Sequence, residues 1–382
     1  MRIYLDHNAT TPVREEVVEA MAAALRECFG NPSSVHAEGA AARAEVERAR
    51  ESVAALLGCA PRELIFSAGA SEASNTALGP LLRAWAGAKR HVVSSNVEHP
   101  SVEEPLVALE RAGWRVTRVP VSSEGRLDLE QLAAAISPQT ALLTLLWANN
   151  ETGVVQPMQR ISELARARGV RIHADATQCL GRLPVDLRAV ALDALSLSAH
   201  KLGGPKGVGA LFVRGEPEFE PLLRGGPQER RRRGGTENVP GIAGLGVAAA
   251  LAASELEARS HEYARLRDRL WDGIAAKIPR VRRNGAADAL LCNTLNVEFE
   301  GVAGELLLQA LDLEGIAVSA GAACASGAIE PSHVLLAMGR SPRQARASLR
   351  FSVGHGVDDG QIECVLARLP DLVARVRAAG DA

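Results

Sequence analysis

Aromatic residues are scarce in this chain, only 3% of 382 residues, and alanine fills much of the apolar quota. Such a composition favours Ala- and Leu-rich helices joined by glycine-shaped loops. Short cysteine spacings are also absent. Cys28, Cys59, Cys179, Cys292, Cys324 and Cys364 lie far apart with no CxxC pair, which argues against a disulfide framework. These cysteines and His7, His36 and His173 show no metal-ligand spacing, so no metal site is expected. No apolar leader follows Met1, and the longest mild stretch, Gly241 to Ala253, is too short and glycine-rich to span a bilayer. Neither charge sign dominates: 43 Lys plus Arg face 45 Asp plus Glu, for a net charge of −2. That gives no general pull toward nucleic acid or a membrane. The expectation is a soluble cytoplasmic protein with reduced thiols.

What is present is ample core material, with 47% apolar residues. Thr11-Pro12 reads as an N-cap and first helical residue, opening a helix that stops at Gly30-Asn31-Pro32. A second helix is expected over about Val35 to Leu57. Short apolar runs then alternate with helical patterns. The runs are Leu64–Phe66, His91–Val93, Val116–Val119, Ala141–Trp147, Val170–Ala174, Leu195–Leu197 and Gly207–Val213. This rhythm predicts an α/β domain around a mostly parallel sheet, with its ligand site beyond the carboxyl ends of the strands. A glycine- and arginine-rich loop, Arg224 to Gly235, leads into a long helical region over about Val239 to Ala276. Beyond a junction near residue 255, strands near Thr294–Phe299, Ile316–Val318 and Leu349–Val353 belong to a smaller α+β domain. The run Arg230 to Arg233 reads as a solvated loop near a dimer interface.

Polar residues punctuate the strand ends. Leu195-Ser-Leu-Ser-Ala-His-Lys closes an apolar run on Lys201, and a lysine at the lip of a core is partly desolvated, which frees its amine for Schiff-base chemistry. Asp175 ends Val170-Arg-Ile-His-Ala-Asp in the same way. A strand-end lysine with a strand-end carboxylate is what pyridoxal 5′-phosphate requires: one anchors the aldehyde, the other keeps the ring nitrogen protonated. Phe66-Ser-Ala-Gly-Ala-Ser supplies strand, glycine and helix start, where the N–H groups of Ala70 and Ser71 would meet a phosphate.

These segments carry a resemblance. Tyr4-Leu-Asp-His-Asn-Ala-Thr-Thr-Pro, Asn149-Asn-Glu-Thr-Gly, Asp175-Ala-Thr-Gln, Ser198-Ala-His-Lys and Arg350-Phe-Ser-Val-Gly resemble the cysteine desulfurases of the NifS/IscS type. These are fold-type I pyridoxal phosphate enzymes of the class V aminotransferase superfamily, and the likeness runs along essentially the whole chain. It implies a large cofactor domain over residues 13–255, and a small domain from residues 1–12 and 256–382 that carries a reactive-cysteine loop. It assigns Lys201 to the cofactor aldehyde, Asp175 to the ring nitrogen, Gln178 to the ring oxygen and His99 to ring stacking and proton transfer. Ser71, Ser198 and His200 would hold the phosphate, with Thr236 supplied by the second subunit of a homodimer. Asn150 and Arg350 would bind the substrate carboxylate, and Cys324 would take the sulfur of L-cysteine as a persulfide. The sulfur then passes to an acceptor, an iron–sulfur scaffold protein or a tRNA-thiolating enzyme. Ser71 stands where the family often has threonine. The chain ends at Ala382 without the longer tail by which the IscS type docks its scaffold, which leans toward the NifS-like end. The rival readings are a class V aminotransferase or lyase without a sulfur-accepting cysteine, and an idle sulfur-relay scaffold.

Overall fold

A computed structural model describes residues 2–320 and 330–380. Its first strand, β1 (Ile3–Tyr4), is followed by two helices, Glu15–Glu27 and Ala37–Leu57, before the next strand begins at Leu64. The second helix ends on Gly58 in the left-handed conformation, as the sequence predicts. The first begins three residues later than its Thr-Pro signal. Thr11 Oγ1 instead donates to the carbonyl of His200 and accepts from Gly203 N–H, each at 3.0 Å, so the hydroxyl that would have capped the helix is tied to another loop.

Seven strands then build one sheet: β2 (Leu64–Ser67), β3 (His91–Ser95), β4 (Arg115–Val119), β5 (Thr140–Leu146), β6 (Arg171–Asp175), β7 (Ala194–Ser198) and β8 (Gly209–Val213). Their order is β2-β8-β7-β6-β5-β3-β4. The pairs from β7 to β4 are parallel, while β8 runs antiparallel to both its neighbours, which makes the sheet mixed. Strands β5 and β7 are buried along their whole length; β5 accordingly reads as a nearly continuous apolar run, while β7 keeps the buried hydroxyls of Ser196 and Ser198 alternating with its leucines. The edge strand β4 carries Arg115 and Arg118 and is only partly buried, charges that discourage pairing with another chain.

The mild stretch from Gly241 lies in the Val239–Ser254 helix, which packs into the core against Ala37–Leu57. A Cβ on Gly246 would sit 2.6 Å from the Cα of Ala49, so only glycine permits this approach. The long helical region expected to Ala276 is two helices: Leu256–Lys277 departs at 75° from the first. No single helix among the described residues is long and apolar enough to cross a membrane.

A second core lies beyond that bend. β9 (Val281–Asn284), β10 (Thr294–Phe299) and β12 (Ser348–Ser352) form an antiparallel sheet, and β11 (Ile316–Ala317) pairs with β1 in parallel. Ile3 and Leu5 are buried with Leu270, Val297, Phe299 and Phe351 in this second cluster. Asp6 bridges to Ser352, and Asn8 donates to Asn150 O and Thr294 Oγ1. The chain's first residues thus reach from the small core to the rim of the large sheet.

Candidate active site

A cavity of about 590 Å³ opens beyond the carboxyl ends of the parallel strands, a volume typical of small-molecule sites. β6 delivers Asp175 to its floor. β7 ends on Ser198 and passes through a short 3₁₀ turn, Ala199–Lys201, which sets His200 and Lys201 on the wall. β3 leads to His99, the N-cap of the Pro100–Arg111 helix, and β5 leads to Asn150.

Lys201 Nζ donates to the carbonyls of Asn8 and Ala9, each at 2.6 Å. Burial pushes its amine down to about 7, helped by the guanidinium groups of Arg182 and Arg350 and opposed by Asp6 and Asp175. Half the amine is therefore unprotonated near neutrality, which is what attack on an aldehyde requires. Asp175 is 2% exposed and accepts from Thr177 N–H at 2.9 Å, with no ion pair among the described residues. A buried carboxylate facing a cavity without a cationic partner suits a ligand that brings its own N–H⁺.

His99 does two things at once. Its Nδ1 accepts from Ser101 N–H at 3.1 Å as a helix cap, leaving Nε2 outside the cap, and the ring lines the cavity. Burial lowers its pKa, against the pull of Asp175. The imidazole is thus a neutral base. Gln178 Nε2 donates to Asn8 O at 3.0 Å, while its Oε1 accepts from Arg182.

The opposite end of the cavity is built for an anion. Gly69 has φ 154°, a conformation natural to glycine, and turns the chain into the Ala70–Thr76 helix. The first intrahelical bond is from Ala73 N–H to Gly69 O at 3.1 Å, so the amides of Ala70 and Ser71 lie ahead of the helix's own ladder. Ser71, Ser198 and His200 line the same wall. Burial pushes His200 down to about 4, so it serves as a neutral hydrogen-bonding group, and its Nδ1 lies 3.1 Å from Thr10 Oγ1.

Two of the expected residues do not line this cavity, and a third lies outside the described residues. Thr236 does not line this cavity; it lies in a neighbouring cleft of about 220 Å³ that shares Ala68 and Gly207 with it. Arg350 also lies outside the lining, donating to Asp6 Oδ1 at 2.6 Å and to Asn150 O at 3.0 Å. Cys324 falls outside the described residues. One loop reading needs correction. The arginine run is not simply solvated: Arg232 is buried and donates to Arg62 O, and Arg233 pairs with Glu72 at 3.0 Å. The cause is Glu229, which dips under the loop to pair with Arg50 at 2.7 Å and to accept from Phe66 N–H at 2.9 Å.

The structure also adds residues that spacing alone did not single out. His173, two residues before Asp175 on the same face of β6, bridges Thr144 Oγ1 and Ser196 Oγ at 2.8 Å each, and Ser196 accepts from Ser74 at 3.1 Å. This buried ladder ties β5, β6 and β7 to the helix of the anion cradle. Glu98 is fully buried and pushed up to about 8 by desolvation, so it is a neutral acid beside His99 at pH 7. Arg182, four residues after Gln178, reaches behind Lys201. Its signal in the sequence was an arginine set among Cys179, Leu180 and Leu183.

Comparison with known proteins bears on the whole chain. The family described as Aminotransferase class-V matches residues 3–365. A cysteine desulfurase of Cereibacter sphaeroides is 47% identical over 380 residues, 99% of this chain and 97% of that protein. Among solved structures, a NifS-like protein superposes with a TM-score of 0.92 at 34% identity, covering 98% of this chain and 100% of that one. SspA in complex with cysteine superposes with a TM-score of 0.82 at 36% identity, covering 92% and 99%.

Proposed function

Because the chain belongs to the class-V aminotransferase family, in its cysteine desulfurase branch, we propose that it converts L-cysteine to alanine and holds the sulfur as a persulfide on Cys324. The observation that carries this is Lys201, its amine held by the carbonyls of Asn8 and Ala9, sharing one cavity with the unpaired Asp175 and the anion cradle at Ser71. That set fits pyridoxal 5′-phosphate: an amine for the aldehyde, a carboxylate for the ring nitrogen and helix-start amides for the phosphate. When bound, the cofactor withdraws electrons from the substrate's α-carbon.

The protein's own groups supply the rest. Lys201, whose amine burial has already deprived of much of its charge, would be suited to hold the substrate's α-proton. His99 Nε2, neutral and free of the cap, is suited to move a proton at the cavity wall. Asn150 and Arg350 would receive the substrate carboxylate; for Arg350 this means exchanging Asp6 for the ligand, one carboxylate for another. The Cys324 thiolate attacks the substrate sulfur. An S–S bond forms as the C–S bond breaks, and the proton lost by the thiol is returned to carbon in alanine. A free thiol is only a few per cent ionised at neutrality, so this proton transfer must accompany the attack.

The working unit is a homodimer in this reading. Leu25, Phe29 and Val35 are 64%, 74% and 99% exposed, large apolar groups that a partner would cover. Thr236, outside its own cavity, is available to a second subunit's phosphate. The persulfide passes to an iron–sulfur scaffold protein or a tRNA-thiolating enzyme in the cytoplasm. The test incubates purified protein with cysteine and a reductant and measures alanine and sulfide together. Equal yields are expected, with alanine release nearly abolished in Cys324→Ser while the cofactor colour stays. Wild-type alanine release from that variant, or amino transfer to a keto acid without sulfide, would instead identify an aminotransferase.

A further inference from the structure

Arg182 is 6% exposed, yet among the described residues it pairs with no carboxylate, and its hydrogen bonds go to backbone carbonyls and an amide oxygen. A buried guanidinium ordinarily sits on an acid, because desolvating an unpaired charge is costly. Here four acceptors replace the acid. Nη1 donates to Gln178 O at 3.2 Å and to Gln178 Oε1; Nη2 donates to His7 O at 3.1 Å and to Lys201 O at 3.2 Å. Its own carbonyl accepts from Ser260 Oγ at 3.2 Å and Cys292 Sγ at 3.3 Å. The residue is therefore held through its side chain from the cavity wall and through its carbonyl from the Leu256–Lys277 helix.

Resting on the cofactor site described above, the geometry points to Arg182 as a positioning residue that aims the Gln178 amide and supplies a fixed positive field behind Lys201. The first part follows from donor–acceptor logic. A side-chain amide reads almost the same either way round, but a guanidinium can only donate. With Oε1 taken by Arg182, Gln178 must present Nε2 to Asn8 O and the cavity, so it can donate to an oxygen on the ligand. The second part follows from proximity. Around Lys201, Arg182 and Arg350 repel the ammonium form, whereas Asp6 and Asp175 favour it; the neighbouring His99 and His200 are both neutral by burial. Arg182 itself stays charged at pH 7, since burial lowers it only to about 10.

The test uses the full chain stripped of cofactor and an amine-acylating reagent, with the Lys201 peptide followed by mass spectrometry from pH 5 to 11. In the unsubstituted protein, labelling should be half-maximal near pH 7. Arg182→Met and Arg182→Gln should move that midpoint upward and slow labelling at pH 7 by about two- to five-fold, whereas Arg182→Lys, which keeps the charge, should hold it in place. Gln178→Leu combined with Arg182→Met should retain pyridoxal 5′-phosphate no worse than the weaker single variant. A midpoint near 10 in the unsubstituted protein overturns the proposal without any variant. So does an unmoved midpoint in whichever of the Met and Gln variants folds. Neither readout involves cysteine, so the result stands apart from whether the protein is a desulfurase.

Discussion

Lys201 Nζ and the carbonyl of Asn8 lie 2.6 Å apart, joining the end of a central strand to a turn almost two hundred residues earlier. The amine is held in place before any ligand arrives, and burial has already removed much of its charge. Only four lysines exist in the chain, Lys89, Lys201, Lys206 and Lys277, and of these only Lys206 also reaches the cavity. Lys201→Ala should abolish both the visible absorbance of bound cofactor and all turnover, while Lys206→Ala keeps both. The absorbance spectrum of the two purified variants decides between the lysines.

Asp175 should matter through its charge rather than its shape. Asp175→Asn preserves the hydrogen bond from Thr177 N–H yet removes the anion, so under the proposed function the ring nitrogen would lose the group that keeps it protonated. Turnover should fall by at least about 10²-fold while thermal stability changes little. Steady-state kinetics beside a melting curve would separate the two effects.

Acid should weaken the fold in a defined window. Burial pushes His7 and His173 down to about 4 from the ordinary 6.5. Between those values the unfolded chain binds protons that the native state refuses. Their stabilising contribution is complete above pH 6.5 and is lost as pH falls toward 4. The slope is at most about 1.4 kcal/mol per pH unit for each histidine. Denaturant titrations from pH 7.5 to 4.5 should show this loss, and His173→Gln should flatten it by one proton's share.

The Arg50–Glu229 pair anchors the arginine-rich loop under the sheet, with both side chains under 5% exposed. Removing one charge strands the other, so Glu229→Gln should cost about 3–5 kcal/mol and loosen the β2 end that Phe66 N–H ties to Glu229. Chemical denaturation of the variant measures the first effect. Weaker retention of pyridoxal phosphate reports the second.

Strand existence was legible because β5 is buried on both faces and reads as a nearly unbroken apolar run, and because β7 sets leucines at alternate positions. β9 was not, since Val281-Arg-Arg-Asn is a partly exposed strand with no apolar run. Nor could β1 be foreseen from two residues whose partner, β11, lies at the far end of the sequence. Lys201 and Asp175 were legible as polar endings to apolar strands. Arg182 and His173 were hidden because their meaning lies in what they touch across the sheet. Thr11 misled for a related reason: a hydroxyl before proline reads as a cap, and only the fold shows His200 claiming it.

The same long reach has a consequence for synthesis. Asn8, whose carbonyl receives Lys201, is itself fixed by Ser352, 344 residues later. At about 5–20 residues per second, a ribosome exposes the first strand about 20 to 70 s before its last anchor exists. The large sheet, its lysine and its anion cradle can all be assembled while the seat for that lysine is still unsecured. Completion of this wall thus waits on synthesis of Ser348–Ser352, and a nascent chain interrupted before that strand carries Asp175, Lys201 and the anion cradle without the clasp that fixes Asn8.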